Sequence, residues 1–187
     1  MLRCAPVTYY ERNLPHWQPE GKFIFLTFRL HGSLPSVMLK KLALSRDPPG
    51  KQFLKADACL DAACSGPRWL DSPEIAKTVQ GALLHGQNPL EFYALHAYVI
   101  MPNHVHALLE PRVPLSRITR GLKGVSSRDA NALLGRKGKP FWQDESFDHW
   151  IRNAGQFERV RSYIELNPVK AGLAKAPEDW PWSSAHR

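Results

Sequence analysis

Apolar runs of two kinds divide the chain into predicted strands and helices. Lys22–Leu30 is short, mostly apolar and rich in β-branched and aromatic residues, which is typical of a buried central strand. Leu90–Met101 has the same character, and Pro102-Asn103 predicts a turn into a return strand, His104–Glu110. A last short strand is predicted at about Phe147–Ile151. The pattern therefore predicts a β-hairpin and two further strands.

Helical periodicity occupies the stretches between the strands. It is found at residues 36–44, 71–85, 114–134 and 154–166. Asp47-Pro48-Pro49-Gly50 is predicted to break the first helix, Gly86 to terminate the second and Pro168 to stop the last. Gln52–Trp69 has only a loose helical period, so it is interpreted as a second helix or an insertion.

These elements fit one domain preceded by an arm. Residues 1–21 are rich in proline, aromatic and charged residues and predict an irregular arm, so the domain is assigned to residues 22–187. Neither an apolar run of roughly 18 residues nor a signal-peptide core is found, so we expect a cytoplasmic protein without a membrane partner. Cys4, Cys59 and Cys64 lack close pair spacing and are expected to be free thiols.

Two histidines one residue apart are the first candidate for chemistry. Side chains alternate along a strand, so His104 and His106 share a face and their imidazoles converge, as a metal site requires. The alternative is a half-buried strand whose polar positions happen to be histidines. Tyr163 and Asn167, four residues apart, share a face of the last helix. They are either a buried aromatic and a helix cap, or a third ligand and a hydroxyl close to the ion.

The positive charge lies downstream of the histidine pair. Of a net charge of +8, residues 112–175 carry 13 lysines and arginines against 6 acidic residues, while the rest of the chain carries 12 against 11. A basic region beside a candidate metal site favours a polyanionic substrate, with nucleic acid first. The alternative is a solvated basic face without function. Arg117, Arg120 and Lys123 lie off the apolar stripe of their predicted helix, where they could hold phosphates.

Four motifs in one order resemble a known family. MPNHVHALLEP, FWQDESFDHWIRN, YIELNPVKAGL and WPWSSA are similar to motifs of the REP-associated tyrosine transposases, a branch of the single-tyrosine HUH nucleases. The resemblance runs from about Lys22 to Ala185. It implies an α+β fold, a ferredoxin-like antiparallel sheet with helices packed on it, the histidines on a central strand and the tyrosine on a C-terminal helix. The arm and residues 52–69 depart from compact members, which affects the DNA-recognition surface more than the chemistry.

The resemblance also implies an activity and its residues. His104, His106 and Asn167 would bind Mg²⁺ or Mn²⁺, and Tyr163 would attack DNA. The expected reaction is cleavage and rejoining of single-stranded or hairpin DNA at REP-type sequences through a 5′-phosphotyrosine, in the cytoplasm and at the nucleoid when DNA is bound. Arg159 and Arg161 would join the other basic residues on the DNA backbone.

Three rival classes remain open: a catalytically dormant DNA-binding protein, ranked second, a metal-dependent hydrolase that uses water, and an RNA-directed protein. The oligomeric state, monomer or homodimer, is also open, as are the preferred metal and the target sequence.

Overall fold

The computed structural model describes residues 8–11, 15–18, 21–62 and 65–186, the first two ranges as backbone only. Its strands are β1 (Thr8–Glu11), β2 (Pro15–Gln18), β3 (Ile24–Arg29), β4 (Tyr93–Ile100), β5 (His104–Pro111) and β6 (Phe147–Trp150). Its α-helices are α1 (Ser36–Ala43), α2 (Pro49–Asp61), α3 (Pro73–Gln87), α4 (Leu115–Leu133) and α5 (Ala154–Lys170). Among the described helices, none combines the length and apolar character that a bilayer crossing requires.

The central sheet has the ferredoxin-like order. Its strands lie in the order β4-β5-β3-β6 and all neighbours are antiparallel. Helix α3 connects β3 to β4 and helix α4 connects β5 to β6, so each pair of parallel strands is joined by a helical crossover. The predicted α+β fold is confirmed, and the histidine strand β5 lies between β4 and β3, inside the sheet.

The two faces of the sheet pack against different helices. Even-numbered residues of β3, such as Leu26, pack with the buried stripes of α3 and α4. Odd-numbered residues of β3, such as Phe25, pack with Leu108 of β5 and Ile164 of α5. Because side chains alternate along a strand, His104 and His106 point to the same face as Leu108. The histidine pair therefore faces α5, the helix that carries the tyrosine.

Helix α2 is an addition between β3 and α3 that packs on the α5 face. The Phe53 ring stacks on Phe147 at 4.2 Å between centroids and meets Phe25 edge-on at 5.4 Å. Helix α1 ends at Ala43, before the predicted break at residues 47–50, and the second half of that break also begins α2, with Pro49 in its first turn. Proline suits that position because the first helical N–H groups have no partner within the helix. The segment Gln52–Trp69, predicted as a helix or an insertion, is an α-helix as far as Asp61.

Two predicted helix ends are wrong, for reasons of packing. Helix α3 continues through Gly86 to Gln87. Gly86 is required for packing and does not end the helix, because a Cβ there would lie 2.3 Å from Tyr93 Oη. Helix α5 continues through Pro168 to Lys170. Pro168 is buried and only two helical residues follow it, so packing outweighs the one lost hydrogen bond.

The N-terminal segment contains order that its composition does not predict. Strands β1 and β2 pair as an antiparallel hairpin, Thr8 opposite Gln18 and Glu11 opposite Pro15. Residues 1–7, 12–14 and 19–20 lie outside the described residues, so the proposed boundary of the arm stays a prediction. Cys59 is a free thiol, whereas Cys4 and Cys64 also lie outside the described part.

Candidate active site

Strand β5 holds two fully buried imidazoles with their Nε2 atoms 3.1 Å apart. On the far side of each ring, the Nδ1 atom has a partner: Thr27 Oγ1 at 2.7 Å from His106 and Asn103 Oδ1 at 2.7 Å from His104. The Asn103 amide donates through Nδ2 to the Leu60 carbonyl, which assigns its oxygen to the imidazole. His104 therefore donates from Nδ1 and keeps a lone pair on Nε2, the arrangement of metal-binding histidines.

Burial also fixes the charge of His104. Removal from water, together with the neighbouring His106, lowers the pKa of His104 to about 3 against the attraction of Asp57. The imidazole is therefore neutral at physiological pH. Neutral imidazole is the form that binds divalent metals.

Helix α2 brings two carboxylates to the histidines. Asp57 is 1% exposed, and its Oδ1 lies 3.3 Å from His106 Nε2 and 3.8 Å from His104 Nε2. Asp61 Oδ1 lies 3.6 Å from His104 Nε2. Burial and the Asp57 charge raise the pKa of Asp61 to about 6. Burial alone would raise the pKa of Asp57 too, but the histidines and Lys170 hold it below its ordinary value.

Helix α5 places the predicted nucleophile against this cluster. Tyr163 Oη donates a hydrogen bond to Asp57 Oδ2, and the Tyr163 ring centroid lies 5.7 Å from that of His106. Asn167 is completely buried, and neither atom of its amide has a hydrogen-bond partner. Burying an amide without hydrogen-bond partners costs free energy of folding, and a ligand bound beside Asn167 would reduce that cost. The Lys170 ammonium lies 4.8 Å from the Tyr163 ring centroid.

The donor set fits a divalent cation. Asp57, His104 and His106 offer donor atoms that all lie within 4.8 Å of one another. Around an ion with bonds of about 2.1 Å, neighbouring octahedral ligands are about 3.0 Å apart, close to the 3.1 and 3.3 Å separations here. Asp57 Oδ1 and Asp61 Oδ1 are buried without hydrogen-bond partners, like the Asn167 amide. The cluster can therefore bind a divalent metal ion.

The predicted DNA-binding residues fall on two sides of the sheet. Helix α4 carries exposed Arg117 and Arg120 on the side away from the histidines. Lys123 Nζ donates to two backbone carbonyls of the segment before β6, at 2.9 and 2.8 Å, and so holds that segment. Arg159 and Arg161 are exposed on α5, the helix that packs on the histidine side of the sheet. The structure does not bring the five residues together.

Sequence reasoning missed four residues of the site, and of these only Asn103 lies within one of the motifs. Asp57 and Asp61 are four residues apart, so they share a helix face, and this spacing was the available signal. Thr27 and Asn103 orient the imidazoles, and their roles depend on pairing across the sheet. No pattern within the segment before β4 indicates that α2 reaches the histidine pair.

The matches to known proteins include the strand of the histidine pair and the helix of Tyr163. The family described as "Transposase IS200 like" matches residues 74–167, half of the chain. The REP-associated tyrosine transposase of Escherichia coli (strain K12) is 33% identical over 98 residues, 51% of this chain and 56% of that protein. A relative from Haemophilus influenzae (strain ATCC 51907 / DSM 11121 / KW20 / Rd) is 28% identical over 102 residues, 49% of this chain and 58% of its own. The chain thus spans little more than half of the curated relatives it matches.

A solved structure matches almost the whole chain. It is a REP-associated tyrosine transposase bound to a REP hairpin, with a TM-score of 0.60 and 21% identity over 95% of this chain and 84% of that one. At this identity the match establishes the fold. The family match includes the histidine pair, Tyr163 and Asn167, and excludes helix α2. The resemblance to REP-associated tyrosine transposases is thereby confirmed, and the chain belongs to the family of IS200-like transposases.

Proposed function

We propose that the protein is a metal-dependent transesterase that cleaves and rejoins single-stranded DNA at hairpin or REP-type sequences. The observation that carries this proposal is the contact of the Tyr163 hydroxyl with the cluster that contains His104 and His106. A phenol hydroxyl beside a metal site suits nucleophilic attack on a phosphodiester. Family membership and the relatives above support the same substrate class.

Each residue has a role that its surroundings support. His104, His106 and Asn167 would hold Mg²⁺ or Mn²⁺, since both imidazoles are fully buried and the buried Asn167 amide, one helical turn from Tyr163, has no hydrogen-bond partner. Bound there, the ion would neutralise and orient the scissile phosphate. Asp57 Oδ2 accepts the hydrogen bond of the Tyr163 hydroxyl and so keeps the phenolic oxygen turned towards the histidines.

The reaction conserves phosphodiester bonds. Tyr163 Oη forms a bond to phosphorus as the bond to the 3′ oxygen breaks, and the 3′ oxygen leaves with a proton as a hydroxyl. The product is a 5′-phosphotyrosine. A 3′ hydroxyl can then attack that phosphorus and release Tyr163, which rejoins a strand without ATP. One tyrosine acts on one strand at a time, so single-stranded or hairpin DNA is the fitting substrate.

The DNA backbone would follow the basic residues of α5. Arg159 and Arg161 are exposed on the helix that presents Tyr163, so we assign them contacts nearest the cleaved phosphate. Arg117 and Arg120 lie beyond the sheet and would contact a more distant part of a hairpin. We place this activity in the cytoplasm, at the nucleoid when DNA is bound.

The test is covalent capture. The protein is incubated with Mn²⁺ and a labelled hairpin oligonucleotide with a single-stranded flank, and a denaturation-resistant adduct on the Tyr163 peptide is expected. Tyr163→Phe should abolish the adduct and the cleavage. Tyr98→Phe is the matched control, because its hydroxyl only accepts from Gln80, and it should react like the wild type. Cleavage that survives Tyr163→Phe would assign the site to a water-using hydrolase.

A second candidate is a DNA-binding protein that does not cleave. Complete burial of both histidines, with Asp57 between them and Tyr163, favours it. In that case hairpin binding would be unchanged by His104→Ala, and no adduct would form with any divalent metal.

A further inference from the structure

Helix α2 sends a carboxylate into the site from outside the family match. The match begins at residue 74, whereas α2 spans Pro49–Asp61. Only two residues of this helix, Asp57 and Leu60, are buried. Burial of Leu60 is expected because its side chain is apolar. A carboxylate that is 1% exposed, as in Asp57, instead needs a compensating charge or hydrogen bonds.

The two oxygens of Asp57 have different surroundings. Oδ2 accepts the hydrogen bond from the Tyr163 hydroxyl. Oδ1 has no hydrogen-bond donor and is directed at the histidines, 3.3 Å from His106 Nε2 and 3.8 Å from His104 Nε2. One oxygen thus anchors the nucleophile, and the other occupies a ligand position beside both imidazoles.

The imidazoles do not satisfy this carboxylate by hydrogen bonding. Asp57 Oδ1 has no hydrogen-bond partner, although both imidazole Nε2 atoms lie within 3.8 Å of it. Asp61, four residues further along α2, brings a second carboxylate to within 3.6 Å of His104 Nε2, and its Oδ1 is also unpaired. Two carboxylates therefore converge on the same pair of imidazoles, and a divalent cation would balance the negative charge they bring together.

We propose that Asp57 is a ligand of the metal in this site and at the same time positions the Tyr163 hydroxyl beside it. This inference rests on the proposed function and adds to it a carboxylate from a helix that the family match does not cover. It predicts a site with nitrogen, amide and carboxylate donors, a set with the oxygen content that Mg²⁺ and Mn²⁺ prefer. Asp61 lies 22% exposed at the edge of the cluster and strengthens the negative field.

A rival explanation of the same contacts is steric. Asp57 would then merely occupy the place of the scissile phosphate, with α2 covering the site until DNA displaces it. The two explanations predict opposite effects of removing the carboxylate. As a ligand, Asp57 is needed for metal binding in the absence of DNA. As a cover, it is dispensable for metal binding, and its loss increases cleavage.

The experiment measures metal binding by the full chain without DNA. Isothermal titration of Mn²⁺ into metal-stripped protein, with free Mn²⁺ followed by electron paramagnetic resonance, is applied to Asp57→Asn and Asp57→Ala. We expect Mn²⁺ affinity to fall roughly 10–100-fold or more in both variants. The control is Asp47→Asn, which removes a carboxylate that precedes α2, pairs with Lys55 of that helix and is not one of the metal-donor residues, and it should bind Mn²⁺ like the wild type.

Three results are decisive. Wild-type affinity in both Asp57 variants, with circular dichroism confirming that they are folded, would overturn the inference and leave the proposed function intact. Faster adduct formation in these variants would establish the covering role instead. Absence of Mn²⁺ binding in the wild type, or binding unaffected by His104→Ala, would refute the metal site of the proposed function itself.

Discussion

Asp61→Asn should stabilise the metal-free protein, because this carboxylate is partly buried and close to Asp57, and the attraction of Lys170 does not offset these two effects. Burial and the charge of Asp57 raise the pKa of Asp61 from 3.8 to about 6. An increase of that size in the pKa corresponds to about 3 kcal/mol of lost folding free energy at neutral pH. The side chain is partly exposed and solvent screens the charge, so we expect about 1–2 kcal/mol. Asparagine keeps the shape and removes the charge.

The pH dependence of this gain has a definite sign. Because the folded-state pKa is raised, folded Asp61 holds its proton up to about pH 6, whereas the unfolded chain loses it near pH 3.8. The stability of the wild type that depends on this group therefore falls as pH rises through that window. The advantage of Asp61→Asn should be complete above about pH 6 and vanish near pH 4. His104, whose shift has the opposite sign, is present in both proteins and cancels.

Urea denaturation of the metal-stripped protein, at pH 7.5 and pH 4.5, measures the free energies of unfolding. Asp71→Asn is the control, because that exposed carboxylate pairs with Arg68 at the surface, and its effect should stay small at both pH values. Addition of Mn²⁺ should reduce the advantage of Asp61→Asn, since the wild-type carboxylate then faces a cation. An advantage that is absent at pH 7.5, or that persists undiminished at pH 4.5, would refute the electrostatic reasoning.

Three further predictions test core packing, the orientation of the His106 ring and DNA binding. Gly86→Ala should cost about 2–4 kcal/mol in urea denaturation because its Cβ would meet a buried tyrosine ring, whereas Gly81→Ala on the same helix has open space and should gain up to about 1 kcal/mol. Thr27→Val removes the hydroxyl bonded to His106 Nδ1 and should weaken Mn²⁺ binding about 10-fold or more in calorimetry, with hairpin binding at low salt as the unaffected control. Arg159→Ala should reduce the slope of hairpin affinity against salt concentration by about 1, and an unchanged slope would remove this residue from the interface.

The parts of the site that sequence alone predicted depend on short-range periodicity. The interval of two between the histidines fixes a common strand face, and β5 places both on the α5 side of the sheet. The interval of four between Tyr163 and Asn167 fixes a common helix face, and α5 spans both. Their specific roles in catalysis stay predictions. The ferredoxin-like sheet was implied by the family resemblance and agreed with the predicted order of strands and helices, and the structure confirms it.

The parts that sequence missed depend on tertiary placement. Helix α2 begins at a proline pair that locally predicts a break, and its apolar period is weak because an aspartate, Asp57, occupies one of its two buried positions. Asp57 lies 106 residues before Tyr163, and no periodicity connects them. On an isolated helix, Asp57 and Asp61 would repel each other weakly and predict a solvent-exposed face. The packing of Phe53 against Phe25 and Phe147 holds that face of α2 against the sheet. The position of the two carboxylates in the site therefore depends on aromatic contacts that have no chemical role of their own.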